Sequence, residues 1–241
     1  VSLGRQAPTI LNIAWVHPLF WDGRAATAEE QAIGPIQAPA EMNLALDEAV
    51  ARLKAIPAYD AWFTRVFPQD GVTGDTIAKA IATFERTVVA SHAPFDEWVE
   101  GNGSAVSDAA KRGFGLFVGK AGCSGCHSGW NFTDNAFHDI GATTTDLGRG
   151  AIEKDNVLAQ YAFKTPSLRD VAQRAPYLHD GSLATLRAVM DHYVVGGIQR
   201  PSLSPRMAPV ALSDGEIDDI IAFMVSLTGK RQVVALPVLP N

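Results

Sequence analysis

Both cysteines of this 241-residue chain fall in one short run, and a histidine follows at once: Cys123-Ser124-Gly125-Cys126-His127. That spacing constrains the fold more than any other feature. It is the C-x-x-C-H signature of covalent haem attachment. Two thiols three positions apart each reach one vinyl group of the same porphyrin, and the adjacent imidazole is then held under the iron as proximal ligand. Other uses fit less well. A structural zinc site needs four ligands, and the chain has no second cysteine pair or closely spaced histidine pair to complete one. A thioredoxin-type pair belongs in a βαβ setting, which the flanking pattern does not suggest. A plain disulfide gives His127 no role. The expectation is a c-type cytochrome domain, attached through Cys123 and Cys126 and ligated by His127.

The rest of the composition is compatible with that. Hydrophobic residues make up 47% and charged residues 19%, enough apolar surface for a proper core. A formal net charge of −6 and the lack of a Lys/Arg run argue against nucleic acid. No apolar run approaches the roughly 18–20 residues that span a bilayer. Because haem is normally attached to this motif outside the cytoplasm, the expected location is the periplasm, with any signal peptide removed or missing.

Upstream of the motif the pattern is helical, so the fold expected is mainly α. Phe20-Trp21-Asp22-Gly23-Arg24 reads as a turn. Thr27 to Glu30 is a capping box that opens a short helix ending near Gly34-Pro35. Further helices are expected over Glu48 to Ile56, Pro57 to Phe67 and Thr76 to Ala90, the last with Ile77, Ile81, Phe84 and Val88 facing the core. Asn102-Gly103-Ser104 reads as a linker, dividing the chain into a helical segment, 1–103, and a haem domain, 104–241. Downstream, Ser107 caps a helix over Asp108 to Val118, with Gly113 and Phe117 as notch and knob. Ser213 and Glu216 open the final helix, whose Ile217, Ile220, Ile221, Met224 and Leu227 point inward, with Gly229 as stop. In cytochromes c the first and last helices cross beside the haem, and Phe117 and Phe223 are candidates for that contact.

Several motifs, in order, extend beyond the haem signature. They are Phe20-Trp21-Asp22-Gly23-Arg24-Ala25, Glu29-Glu30-Gln31-Ala32, Gly34-Pro35-Ile36-Gln37, Glu41-Met42, Phe84-Glu85-Arg86-Thr87, Thr165-Pro166-Ser167-Leu168-Arg169 and Ala175-Pro176-Tyr177-Leu178-His179-Asp180-Gly181. Together they closely resemble the bacterial di-haem cytochrome c peroxidase and MauG family over nearly the whole chain. The resemblance implies that Trp21 relays electrons between two haems, and that Gln31 and Glu41 stand over the open face of a first, peroxidatic haem. Chemically, Glu41 would move a proton between the peroxide oxygens if partial burial raised its pKa, and Gln31 would orient the peroxide. The family's first C-x-x-C-H motif has no counterpart upstream of Cys123. Three explanations stand: a C-terminal portion of a longer di-haem protein, a partner polypeptide carrying the other half, or a diverged protein with one haem. The resemblance also implies a calcium ion held by the Arg174 and Pro176 carbonyls and by Gln6, where the family has Asn.

The sixth position on the iron has several candidates: Met190, His192, Tyr193, Met207 and, less favoured, His138. Met is usual in electron-transfer cytochromes, which makes Met207 attractive. Counting from His179 as the family does, the axial position falls on Tyr193, at the end of a helix over Leu186 to Tyr193, and the MauG-like branch has Tyr there. A phenolate lowers the potential and stabilises higher oxidation states. Arg169 is a candidate propionate partner; His138 could bond a propionate, and His179 a turn or the haem edge. Three functions are therefore weighed. In the first, a MauG-like enzyme uses hydrogen peroxide to store oxidising equivalents on two haems and oxidises a partner protein. The second is a peroxidase reducing peroxide to water with electrons from a small redox protein. The third is a non-enzymatic, mono-haem electron-transfer module. Tyr193 favours the first over the second; Gln31, Glu41 and Trp21 favour either enzyme over the third.

Overall fold

The computed structural model describes residues 3–230 and 237–240. Eight α-helices dominate it: α1 (Ala28–Gln37), α2 (Leu46–Lys54), α3 (Pro57–Val66), α4 (Gly74–Arg86), α5 (Pro94–Val99), α6 (Asp108–Val118), α7 (Leu186–Val195) and α8 (Asp214–Ser226). The only sheet among the described residues is a two-stranded antiparallel pair, β1 (Phe137–His138) with β2 (Phe163–Lys164), in the register Phe137 to Lys164 and His138 to Phe163. Short 3-10 turns link these elements, one of them over Cys123–Gly125.

Capping chemistry explains most of the helix starts. Thr27, Thr73, Ser107, Thr185 and Ser213 each accept a backbone N–H from the first turn of their helix. Several boundaries differ from expectation: α2 runs over Leu46–Lys54 rather than Glu48 to Ile56, and α7 continues to Val195. α1 does not stop at Gly34-Pro35 but runs on to Gln37. Pro35 removes one hydrogen bond to the preceding turn, and Ala38 N–H restores the ladder at the Gly34 carbonyl. α4 begins at Gly74, not Thr76, because Thr73 and Thr76 exchange side-chain and backbone bonds as a reciprocal cap. It ends at Arg86, so Val88 lies beyond it. The face also rotates: Ile77, Ala78, Ala82 and Glu85 are buried, whereas Phe84 is 60% exposed. α1 packs against α4, with Ala28 and Ala82 in one core cluster.

The largest core cluster gathers Phe95, Phe117, Phe132, Leu168, Met190, Ile220 and Phe223 around α6 and α8. The two helices touch where Gly113 meets Asp219: a Cβ on Gly113 would stand 1.9 Å from the Asp219 carbonyl oxygen. Phe117 and Phe223 lie beside this crossing with ring centroids 4.9 Å apart, the notch and knob expected from sequence. α5, upstream of residue 103, places Phe95 in the same core. The opening segment is fastened to the haem-motif region by Arg5, which donates to Asp22 and Asp146 at 2.6 Å each.

Two measurements check this packing. Gly113→Ala should force α6 and α8 apart and cost about 3 kcal/mol in denaturant unfolding of the haem-loaded protein. At the other end of α8's first turn, Lys120 and the Ser213 cap hold the Glu216 carboxyl down to about 2. A depressed carboxyl stabilises the fold above its ordinary value near 4.5 and loses that contribution as pH falls through the depressed one. The melting-temperature gap between wild type and Glu216→Gln should therefore close between about pH 4.5 and 2.

Candidate haem-binding site

α6 ends at Gly119, and the chain turns through Gly122, at φ +66°, into the Cys123–Gly125 turn. His127 N–H then donates to the Cys123 carbonyl at 2.9 Å, folding the imidazole back beneath the motif. Both cysteines are free thiols on the wall of one large, mostly apolar cavity. Burial pushes the Cys123 thiol up to about 11 and raises Cys126 as well.

His127 is held in one orientation. Its Nδ1 lies 2.9 Å from the Phe132 carbonyl oxygen. A carbonyl only accepts, so Nδ1 carries the proton and Nε2 keeps a free lone pair for a metal. Phe132 reaches this position through a left-handed backbone, φ +51°, a conformation that costs a non-glycine residue about 1–2 kcal/mol. Burial lowers the His127 pKa, keeping the ring neutral and ligand-competent.

The remaining walls come from distant parts of the chain: Trp21 from the opening segment, His138, Phe163 and Lys164 from the strand pair, Met190 and Tyr193 from α7, Met207 from the following loop, and Ile220 and Met224 from α8. Of the five candidates for the sixth position, His192 is withdrawn, since its ring bonds the Ile140 carbonyl at 2.8 Å. His138 is engaged through Nε2–H by the Asp134 carboxylate at 2.8 Å. Tyr193 lines the cavity and has no hydrogen-bond partner among the described residues. Burial pushes its phenol far above the usual range, and the neighbouring thiols of Cys123 and Cys126 add to the rise. Met190 and Met207 share the same cavity wall. Two apolar-set thiols, an imidazole with a free nitrogen, and an unpartnered phenol or thioether form a donor set that fits haem c.

One sequence expectation lands elsewhere. Arg169 does not line the cavity. It donates to Asp96 at 2.8 Å and to the Trp130 carbonyl at 2.8 Å, with its guanidinium over the Phe132 ring. Its charge is already compensated, so the propionate role expected for it is corrected to a structural one. Gln6 and Pro176, two of the residues expected around calcium, are in contact. The Gln6 side chain turns its nitrogen toward the carbonyls, donating to Pro176 at 3.0 Å and Leu178 at 2.5 Å, while Arg174 closes a 3-10 turn. Calcium takes oxygen donors; here the Gln6 amide meets these carbonyls through its N–H.

A second, more open cleft is lined by Phe20, Arg24, Glu30, Gly34, Ala38 and Glu41. Glu41 sits exposed at its lip, without the partial burial expected, and Gln31 on α1 is half-buried outside its lining. Arg24 and Glu30, read from the sequence as turn and capping residues, join this lining. Consecutive residues face different spaces: Phe20 the cleft, Trp21 the haem cavity. Trp21 is pinned by its indole N–H to the Gln6 carbonyl at 3.0 Å and meets the His179 ring edge-on.

Comparison with known proteins agrees with this arrangement. A family model described as di-haem cytochrome c peroxidase matches residues 1–104, and a cytochrome c model matches residues 110–228. The chain is 50% identical over 243 residues to the methylamine utilization protein MauG of Methylorubrum extorquens, covering 100% of this chain and 69% of that protein. It is 34% identical over 247 residues to the cytochrome c551 peroxidase of Pseudomonas aeruginosa, covering 98% and 68%. A solved MauG-like protein associated with microbial copper homeostasis superposes with a TM-score of 0.86 at 29% identity, over 95% of this chain and 76% of that one.

The Arg169 pairing yields a direct test. Asp96→Ala strands a buried guanidinium and should cost about 2–3 kcal/mol of unfolding free energy. The haem content per chain, read from the pyridine haemochrome spectrum, should stay at the wild-type value.

Proposed function

Because the chain belongs to the di-haem cytochrome c peroxidase and MauG family, we propose that it serves the MauG-like reaction, in which oxidising equivalents taken from hydrogen peroxide are delivered to a partner protein. The observation that carries this reading is Tyr193: a half-buried phenol, unpartnered among the described residues, on the wall of the cavity that His127 also lines. Bound haem c supplies the redox-active iron. The protein residues do the rest. His127, its Nδ1–H committed to Phe132, offers Nε2 to the metal. Tyr193 offers a phenol oxygen that finds no proton acceptor among the described residues, and a nearby cation would favour its anionic form. An anionic oxygen donor lowers the potential and suits storage of oxidising power.

Trp21, between the haem cavity and the second cleft, is suited to relay electrons. In that cleft Glu41 is the proton-transferring group, with Arg24 and Glu30 as charged neighbours, and Gln31 orients peroxide from α1. This assignment calls for a second haem beside the cleft, and for a periplasmic setting in which haem c is attached. None of the described helices is long and apolar enough to cross a membrane.

Tyr193→Met in the full-length, haem-loaded protein tests the reading. Expected are a methionine-to-iron charge-transfer band, a higher midpoint potential and loss of protein-substrate oxidation. A wild-type protein that already shows that band would overturn Tyr193 as ligand and favour Met190 or Met207, with peroxide reduction to water as the activity. Glu41→Gln should slow the reaction with peroxide about 100-fold or more with haem content unchanged; a wild-type rate would remove Glu41 from the chemistry.

A further inference from the structure

With Arg169 committed to Asp96, a haem in this cavity needs another counter-ion for its carboxylates. Lys164 has the required properties. It lies on β2, is only 9% exposed, and lines the cavity beside Trp21 and Phe163. Its Nζ donates to one group, the Pro18 carbonyl at 2.6 Å, and no carboxylate among the described residues forms an ion pair with it. An ammonium has three N–H donors, so two are left without acceptors.

A buried, unpaired ammonium is costly, and proteins rarely keep one without an anion to meet it. Burial pushes Lys164 down to about 8, with no compensating charge. The neighbouring His179 supplies none: it is stacked on Phe163 at 3.7 Å, and burial lowers its pKa toward the neutral ring. The other cation on the cavity wall, Arg206, is exposed and lies against Gly125, between the two cysteines. A porphyrin held by Cys123 and Cys126 would have its thioether side there, and its propionates would be on the opposite edge. Lys164 is on the side of the strand pair and the opening segment, since its backbone N–H bonds the Trp21 carbonyl at 2.8 Å.

We propose that Lys164 is the buried counter-ion of a haem propionate, a positioning residue that anchors the porphyrin beside Trp21 and sets its potential. This rests on haem c occupying the cavity and is independent of the identity of the sixth ligand or the protein substrate. A cation at that edge compensates the propionate charge near the iron. Its removal leaves a negative charge that favours the ferric form.

The test uses the full-length, haem-loaded protein with two variants at this position. Lys164→Met removes the charge at similar length, and Lys164→Arg retains it. Resonance Raman reads the propionate bending mode, and a redox titration at pH 8 reads the midpoint potential. In wild type the mode should shift on exchange into D2O, because the propionate accepts from an exchangeable ammonium. In Lys164→Met that sensitivity should vanish and the ferric-to-ferrous equilibrium should move about tenfold toward ferric, about 59 mV for one electron. Lys164→Arg should restore both. A wild-type mode indifferent to D2O overturns the proposal even if Lys164→Met does not fold, and so does a Lys164→Met protein with wild-type potential and mode. A wild-type protein with no haem on Cys123 and Cys126 would overturn the site reading itself, and the ion pair with it.

Discussion

The close approach of α6 and α8 at Gly113 is the constraint on which the rest of the site depends. A side chain there would collide with the Asp219 backbone, so only glycine lets the two helices cross at this distance. The crossing brings Phe117 against Phe223 and buries Phe95 and Phe132 around them. Because α6 leads through Gly119 and Gly122 directly into the haem motif, its placement also fixes where Cys123, Cys126 and His127 stand. α8 supplies the opposite apolar wall through Ile220 and Met224. One contact between helix backbones thus defines both the floor and a side of the cavity.

Electrostatics completes what packing begins. The interior holds few charges, and most are matched: Arg169 with Asp96, Arg5 with Asp22 and Asp146, and Arg200 with Asp139. Arg169–Asp96, Arg5–Asp146 and Arg200–Asp139 tie segments 61 to 141 residues apart in sequence. Lys164 stands out against that background because it has only a carbonyl. The same logic applies to Gln6, whose amide nitrogen bridges two carbonyls and ties the opening segment to the loop around Pro176 and Leu178.

The large cavity is lined by at least five stretches of chain, Trp21 among them, and the adjacent Phe20 lines the second cleft. The Trp21 indole is fixed by the Gln6 carbonyl. A rigid aromatic between two cavities suits electron transfer, which tolerates distance better than it tolerates disorder. The exposed position of Glu41 fits a cleft open along this chain's own surface.

Local chemistry made much of this legible in the sequence. The C-x-x-C-H spacing, the caps at Thr27, Ser107 and Ser213, the Gly113 notch and the inward stripe of α8 all depend on residues within a few turns of one another, and all are found in the structure. The mainly helical fold follows from them. Boundaries decided by a competing local bond, such as the Thr73 and Thr76 cap of α4, were harder to read, as was Phe84, whose exposure depends on what packs beside its helix. Partnerships across the chain were out of reach. Sequence presents Arg169 and Lys164 as two cations near one motif, and only the fold brings Asp96 to the first and leaves the second facing an apolar cavity. Periodicity and spacing encode short-range geometry, whereas the pairing of buried charges is settled by which distant segments meet.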